Sequence, residues 1–299
     1  RTDIAKLKKI AATDASILIT GETGTGKGVM ARCLYEWSAR RNGPFVKCDC
    51  AALTSSLIES DLFGHERGAF TGASRQRIGR FELANQGTVF LDELGEMPLE
   101  FQPKLLSVIE DRELIRVGGS HTLKLDIRII SATNRALREE VSEREFRADL
   151  FHRLSVLEYH VKPLRDCSED ISVLAHFFAS EIAAREGSRI PHINDEAIQT
   201  LKNYDWPGNI RELANVIDRA MVLKEGNTLH VTPDMLGASE LFSTKPTDLS
   251  LEAVEAAHIR AILSQTNWKI NGADGAAKIL DIHPSTLRSR MSKLGIQRD

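Results

Sequence analysis

Seven residues, Gly21-Glu22-Thr23-Gly24-Thr25-Gly26-Lys27, constrain this chain more than any other stretch. They fit G-x-x-x-x-G-K. The short apolar run Ser16-Ile17-Leu18-Ile19-Thr20 precedes them, and residues 28–40 continue at helical spacing. A Gly-rich turn between a strand and a helix lets the backbone curl, so that several N–H groups point at phosphate oxygens. The helix adds the positive end of its dipole. Lys27 is placed to neutralise β- and γ-phosphates. In that context the motif reads as a P-loop, with Gly21, Glu22, Thr23, Gly24, Thr25, Gly26, Lys27 and Gly28 as candidate nucleotide contacts.

The rest of the first half agrees with that reading. Thr88-Val89-Phe90-Leu91-Asp92 and Ile127-Arg128-Ile129-Ile130-Ser131-Ala132 are short apolar runs bounded by breakers, as buried parallel strands are. Helical spacing over 99–111 lies between them. Strand–helix alternation over 1–163 predicts an α/β subdomain with a parallel sheet. From 164 to 236 the strand signal disappears, and Ile171, Leu174, Phe177 and Phe178, then Leu213, Val216, Ile217 and Ala220, predict a small all-helical subdomain. Residues 237–250 read as a linker. Residues 251–299 form a third, all-α unit.

Asp92-Glu93 ends an apolar strand, where side chains reach the ligand crevice of an open α/β sheet. Asp92 suits Mg²⁺ and Glu93 suits polarising an attacking water. Gly28 stands where a P-loop ordinarily has a hydroxyl for the metal, so phosphates, water and Asp92 must hold Mg²⁺.

Between the P-loop and these acids lies Gly68-Ala69-Phe70-Thr71-Gly72-Ala73. It resembles the GAFTGA loop of bacterial enhancer-binding proteins, the AAA+ ATPases that activate RNA polymerase carrying sigma-54. The resemblance runs from about residue 10 to 296. It implies an AAA+ P-loop NTPase with an α-helical lid and a C-terminal helix-turn-helix, using ATP and Mg²⁺. Ser131-Ala132-Thr133-Asn134 resembles sensor I. Phe146-Arg147-Ala148-Asp149-Leu150-Phe151-His152-Arg153-Leu154 resembles the arginine-finger segment, so Arg147 and Arg153 would reach a neighbouring subunit's site. Trp206-Pro207-Gly208-Asn209-Ile210-Arg211-Glu212-Leu213 resembles sensor II, with Arg211 on the nucleotide. Guanidinium groups suit the charge that phosphoryl transfer spreads over oxygens. The six residues 68–73 would contact sigma-54 through an exposed Phe70. Family members usually carry Asn where this chain has Asp49. An ionised Asp cannot donate to Glu93 and would repel it, so a shared proton or a different switch is expected.

At the C-terminus, Gly275-Ala276-Ala277-Lys278-Ile279-Leu280, a short turn and Pro284-Ser285-Thr286-Leu287-Arg288-Ser289-Arg290-Met291-Ser292-Lys293-Leu294 read as helix-turn-helix. The unit resembles the Fis-type DNA-binding domain, which dimerises on two half-sites. Ser285, Thr286, Arg288, Ser289, Arg290 and Lys293 are the candidate DNA contacts. Leu251, Val254, Ala257, His258 and Ile262 are expected to form the packing helix and dimer surface.

The net charge of −3 for 299 residues argues, taken whole, against a general nucleic-acid binder. It averages unlike parts: residues 1–236 carry 31 Lys+Arg against 35 Asp+Glu, while 284–298 carry four bases and no acid. Four scattered cysteines exclude a disulfide scaffold. No apolar run reaches bilayer length and no signal-peptide pattern opens the chain, so a cytoplasmic protein without membrane partners is expected. An Arg at position 1 suggests that a regulatory region preceded it.

The expected function is an ATP-dependent activator. It binds enhancer DNA, assembles as a hexamer, and opens the sigma-54 RNA polymerase–promoter complex. Two alternatives use the same residues: a DNA-binding regulator with impaired hydrolysis, and an AAA+ remodeller of another client.

Overall fold

The computed structural model describes residues 2–51, 55–224 and 226–236. Nearer the C-terminus it describes 255–256, 259–260, 262–263, 266, 268–272, 275–280, 282–294 and 296. The chain divides into two compact units, Arg1–Met235 and Leu236–Asp299.

The larger unit begins with α1 (Thr2–Ala11), β1 (Ile17–Thr20), α2 (Lys27–Glu36), β2 (Phe45–Asp49), α3 (Ser55–Phe63), α4 (Arg80–Leu83) and β3 (Thr88–Asp92). It continues through α5 (Gln102–Glu110), β4 (Glu113–Ile115), β5 (Thr122–Lys124), β6 (Arg128–Thr133), α6 (Leu137–Ser142), α7 (Ala148–Leu154) and β7 (Leu157–His160). Five strands pair in parallel in the order β2-β3-β6-β1-β7, while β4 and β5 form a separate antiparallel hairpin. The expected α/β class with a parallel sheet is thus borne out.

Alternation along the central strands explains why both faces are covered. Ile17 and Ile19 of β1, Phe90 of β3, and Ile130 and Ala132 of β6 pack with Leu7, Ile10, Ala31 and Leu34 from α1 and α2. Leu18, Val89, Leu91 and Ile129 turn to the opposite face, against Ile58, Phe63, Leu105, Leu150 and Phe151. Strands with both faces buried read as unbroken apolar runs.

This order positions the site. Strand β6 lies between β1, which feeds the P-loop, and β3, which carries the acids. Thr133 is in register with Thr20, and Asp92 with Asp49. Three strand ends therefore open onto one edge of the sheet.

Residues beyond β7 form α8 (Ser168–Glu186), β8 (His192–Ile193), α9 (Asp195–Lys202), α10 (Asn209–Val222), β9 (Thr228–Leu229) and α11 (Pro233–Leu236). The expectation of an all-helical stretch from 164 to 236 is corrected by β8 and β9, which pair in parallel over two residues each. Two residues are too few to show an alternating pattern. Asn194 caps α9 by accepting the Ala197 N–H at 2.9 Å. Trp206 is wholly buried, and its Nε1 donates to the Leu201 carbonyl at 2.8 Å.

In the smaller unit, helices Ala276–Ile279 and Pro284–Lys293 pack around Ala276, Ala277, Leu287, Ile259 and Leu263. Residues 237–250, together with Leu251, Val254, Ala257, His258 and Arg298, lie outside the described residues. Among the described residues, no helix is long and apolar enough to cross a membrane.

Trp206→Ala should lower the stability of the Arg1–Met235 unit by about 3–5 kcal/mol, because it leaves a cavity and frees the Leu201 carbonyl. Urea unfolding followed by circular dichroism measures this.

Candidate functional site

The P-loop holds its shape through its own backbone and through the residues after β7. Gly24 and Gly26 have φ of 82° and 90°, and Gly26 caps the start of α2. A β-carbon on Gly24 would come within 2.2 Å of the Gly208 carbonyl oxygen. Thr25 Oγ1 donates to the Glu22 carbonyl at 2.8 Å. Lys27 is 5% exposed and its Nζ donates to the carbonyls of Gly21 (3.0 Å) and Glu22 (3.2 Å). Burial lowers the Lys27 pKa, and the nearby Glu93 and Asp92 partly offset this.

Glu93 directly follows β3, with φ of 50°, a left-handed conformation that costs a non-glycine residue about 1 kcal/mol. Its Oε1 lies 3.9 Å from Lys27 Nζ, while its Oε2 is buried with no hydrogen-bond partner among the described residues. Asp92 Oδ2 lies 2.7 Å from Lys47 Nζ. A cleft of about 380 Å³ brings together Gly24, Gly26, Lys27, Gly28, Lys47, Asp92, Glu93 and Arg211. Of the two expectations for Asp49, a proton shared with Glu93 or a different switch, the first has no hydrogen bond between the two carboxylates among the described residues. Asp49 Oδ1 instead accepts the N–H of Ala51 at 3.0 Å. A carboxylate at a strand end gains more from its own backbone than from a second carboxylate.

A second cleft, of about 460 Å³, shares Ile210 with the first. Its walls include Lys6 of α1, Thr25, His160, Val161, Leu164 and Leu174. Val161, Leu164, Leu174 and Ile210 give it an apolar side, and Lys6, Glu158, Lys162 and Asp170 a charged one.

The lid side is fastened to the P-loop by Glu22, whose carboxylate takes two bonds from Arg165 (2.9 and 2.5 Å) and one from Asn209 Nδ2 (3.0 Å). Asn209 also donates to the Thr23 carbonyl, and its Oδ1 accepts the Leu164 N–H. Hydrogen bonds from Arg165 and Asn209 bring the Glu22 pKa down to about 2. Asn134 Nδ2 donates to Thr23 Oγ1 at 2.9 Å, and the buried Thr133 Oγ1 accepts the Arg135 N–H.

Arg147 and Arg153 do not line these clefts. Both are exposed. Arg147 makes two bonds to Asp149, at 3.0 and 2.6 Å, and Arg153 Nε donates to Glu110 at 2.5 Å.

The segment Gly68–Ala73 forms a tight turn, exposed at Gly68, Phe70, Thr71 and Gly72, with Ala69 half-buried and Ala73 buried. The Gly68 N–H donates to the Ala73 carbonyl (2.8 Å), and the Ala73 N–H to the Phe70 carbonyl (3.0 Å). Phe70 is 45% exposed and meets the His65 ring edge-on at 4.9 Å. A β-carbon on Gly118 would come within 2.7 Å of Ala69, so the turn between β4 and β5 lies against this loop. Arg116, at the same turn, bridges Glu66 and Glu82.

In the smaller unit, Ser285, Thr286, Arg288, Ser289, Arg290 and Lys293 are all exposed while Leu287 is buried. Arg288 bonds Asn271 and Arg290 pairs with Glu255. At the start of that helix the His283 ring lies with Nδ1 3.4 Å from the Ser285 N–H and 2.7 Å from the Ser285 hydroxyl.

Comparison with known proteins now decides the family. The sigma-54 interaction domain matches residues 1–160, the AAA+ ATPase lid domain residues 165–248, and the bacterial regulatory protein, Fis family, residues 250–294. This chain belongs to the sigma-54-dependent transcriptional activator family. It is 48% identical over 297 residues to the formate hydrogenlyase transcriptional activator FhlA of Escherichia coli (strain K12), covering 99% of this chain and 43% of that protein. It is 53% identical over 225 residues to the regulatory protein AtoC of the same organism, covering 75% of this chain and 49% of that protein. The chain spans less than half the length of these relatives. The crystal structure of NtrX from Brucella abortus superposes with a TM-score of 0.74 at 35% identity, covering 98% of this chain and 66% of that one. The complex of NtrX with ATP gives 0.73 at 35% identity, with the same coverage.

Within this family member, sequence reasoning missed Lys47, Arg165 and Gln102. Lys47 lies two residues before Asp49 on one strand, a spacing that places both on the same face. Arg165 and Gln102 carry no local pattern, and their roles depend on contacts to distant segments.

The Glu22 contacts give a pH prediction. A lowered carboxylate pKa stabilises the fold above the unfolded value near 4.5, and that contribution is lost as pH falls through about 2. Wild type should therefore lose melting temperature more steeply than Glu22→Gln between pH 5 and 2, in parallel thermal melts.

Proposed function

We propose that this protein is an ATP-driven activator of sigma-54 RNA polymerase. The carrying observation is a divided site. Lys27, Asp92, Glu93 and Arg211 converge on one cleft, while Arg147 and Arg153 are exposed outside it. Hydrolysis then needs a neighbour's arginine, and a closed ring, hexameric as in the family, supplies one at every site.

ATP fits the clefts described. The Gly-rich turn and Lys27 face the phosphates, and Val161, Leu164 and Leu174 face the base. Asp92 offers a carboxylate oxygen at the same edge, which suits a hard cation, and Gly28 adds no ligand. Mg²⁺ bound there would offset phosphate charge. Glu93, with one oxygen unpartnered, accepts a proton from the attacking water. Asn134, bonded to Thr23, reports on the γ-phosphate. Arg211 and the neighbour's Arg147 and Arg153 stabilise charge on the transferring group.

The turnover is read out by Gly68, Ala69, Phe70, Thr71, Gly72 and Ala73. An exposed aromatic ring on a tight turn is a surface for a partner, and sigma-54 is that partner in this reading. Residues 1–163 serve as the ATPase core, 164–236 as its lid, 237–250 as a linker, and 251–299 as the enhancer-binding unit. Dimers of that last unit, reading DNA through Ser285, Thr286, Arg288, Ser289, Arg290 and Lys293, raise local concentration and aid ring assembly. The setting is cytoplasmic, without a membrane partner.

Gly28, which adds no metal ligand, favours one second reading, a DNA-binding regulator with impaired hydrolysis. Phosphate release from the concentrated protein with Mg-ATP separates the two, and no turnover leaves the second standing.

Two outcomes test the first. Lys27→Ala should weaken ADP binding by about 10- to 100-fold, since it removes charge-assisted bonds to phosphate. Titration with a fluorescent ADP analogue measures this. Phe70→Ala should abolish open-complex formation at a sigma-54 promoter while the analogue still binds. Normal transcription by Phe70→Ala would refute the loop assignment.

A further inference from the structure

Gln102, the first residue of α5, is completely buried. Its Nε2 donates to the carbonyls of Met97 and Glu145, each at 3.2 Å. Its Oε1 accepts the Arg147 N–H at 2.8 Å. One amide thus spends both donors and its acceptor on three main-chain groups from two separate segments.

The identity of those segments matters more than their number. Met97 closes the 3₁₀ turn Leu94–Glu96 that begins directly after Glu93, with its N–H bonded to the Leu94 carbonyl. Glu145 and Arg147 belong to the segment entering α7, with Arg147 extended at its N-cap. Arg135, next to Asn134, holds the same turn from another side through two bonds to Glu96, at 2.9 and 2.6 Å. Glu93 in turn has a left-handed backbone and a buried, unpartnered oxygen, so this turn has cause to shift when the cleft fills.

We propose that Gln102 is a positioning residue that couples the turn of Glu93 to Arg147 in the same subunit, so that the state of one nucleotide cleft sets the reach of the arginine offered to the next. This rests on the reading of Arg147 as a group acting on a neighbour. An apolar residue of the same volume would fill the space, but it would remove the amide's bonds to all three main-chain groups, one buried and two part-buried, and would not tie the segments together.

The test uses the full chain. Gln102→Met keeps the volume and removes the amide. Gln102→Asn keeps the amide and withdraws it by one methylene. Both should bind the fluorescent ADP analogue within about twofold of wild type and assemble normally, yet turn over saturating Mg-ATP about tenfold or more slowly.

Mixed subunits assign the effect. Arg147→Ala and Glu93→Gln chains, each inactive alone, should regain turnover when mixed, at sites that pair an intact acid with an intact arginine. Adding Gln102→Met to either chain should lower the regained turnover. On the first it loosens the turn of Glu93, and on the second the segment of Arg147. Wild-type turnover in both Gln102 variants, or a loss confined to one placement, would overturn the coupling. If Gln102→Met does not fold, Gln102→Asn takes the same two placements. ADP binding lost together with turnover would make Gln102 a packing residue and overturn the proposal. If instead the parent mixture regains nothing, or Arg147→Ala alone hydrolyses normally, the reading of Arg147 itself fails.

Discussion

The backbone contact between Gly24 and Gly208 is the constraint on which the nucleotide site depends. A β-carbon on Gly24 would overlap the Gly208 carbonyl, so the P-loop and the turn before α10 lie main chain against main chain. The Arg211 N–H lies 3.3 Å from the Gly24 carbonyl, which brings that side chain to the phosphate side of the cleft. Asn209, with φ of 52°, occupies a left-handed position that Asn tolerates better than most residues. From there it reaches Glu22, Thr23 and Leu164. Bulk at Gly24 would separate these groups, and neither arginine nor amide could span the gap.

Charge is balanced locally at the sheet edge. Two acids, Asp92 and Glu93, face two lysines, Lys47 and Lys27, inside one cleft. The lysines are not equivalent. Lys27 is buried and held by two carbonyls, so its position is fixed before any phosphate arrives. Lys47 is half exposed on a flexible stem, and its ion pair is of the kind worth about 0–1 kcal/mol. A divalent cation at Asp92 would displace it at little cost. Asp49, which looked as if it would repel Glu93, leaves this balance alone because its carboxylate is turned onto its own backbone.

Local patterns made much of this legible in the sequence. Ile17–Thr20 and Thr88–Asp92 announced themselves because strands buried on both faces are apolar throughout, and the P-loop because a Gly-rich turn has few other uses. Pairs set by distant segments stayed hidden. Nothing near Arg165 says that it will meet Glu22, and Gln102 looks like an ordinary polar residue at a helix start. The two-residue pair β8–β9 escaped for a different reason, since a period cannot be seen in fewer residues than it spans. The near-neutral total charge misled by averaging a basic recognition helix with acids elsewhere.

Magnitudes separate how Arg147 is held from how its side chain is occupied. Its guanidinium pairs with Asp149 two residues on, where both groups are more than 40% exposed. Such an exposed, solvent-screened pair contributes little and yields readily to a phosphate, which draws the same planar donors with more charge. Its main-chain N–H is bound to a fully buried amide, and leaving such a group unpaired costs about 1–3 kcal/mol. The backbone is therefore fixed while the side chain is only parked. In the proposed function, where Arg147 acts on a neighbouring subunit's site, both properties are needed. A loose backbone would scatter the guanidinium over several ångströms, and a tightly bound guanidinium could not leave its own subunit.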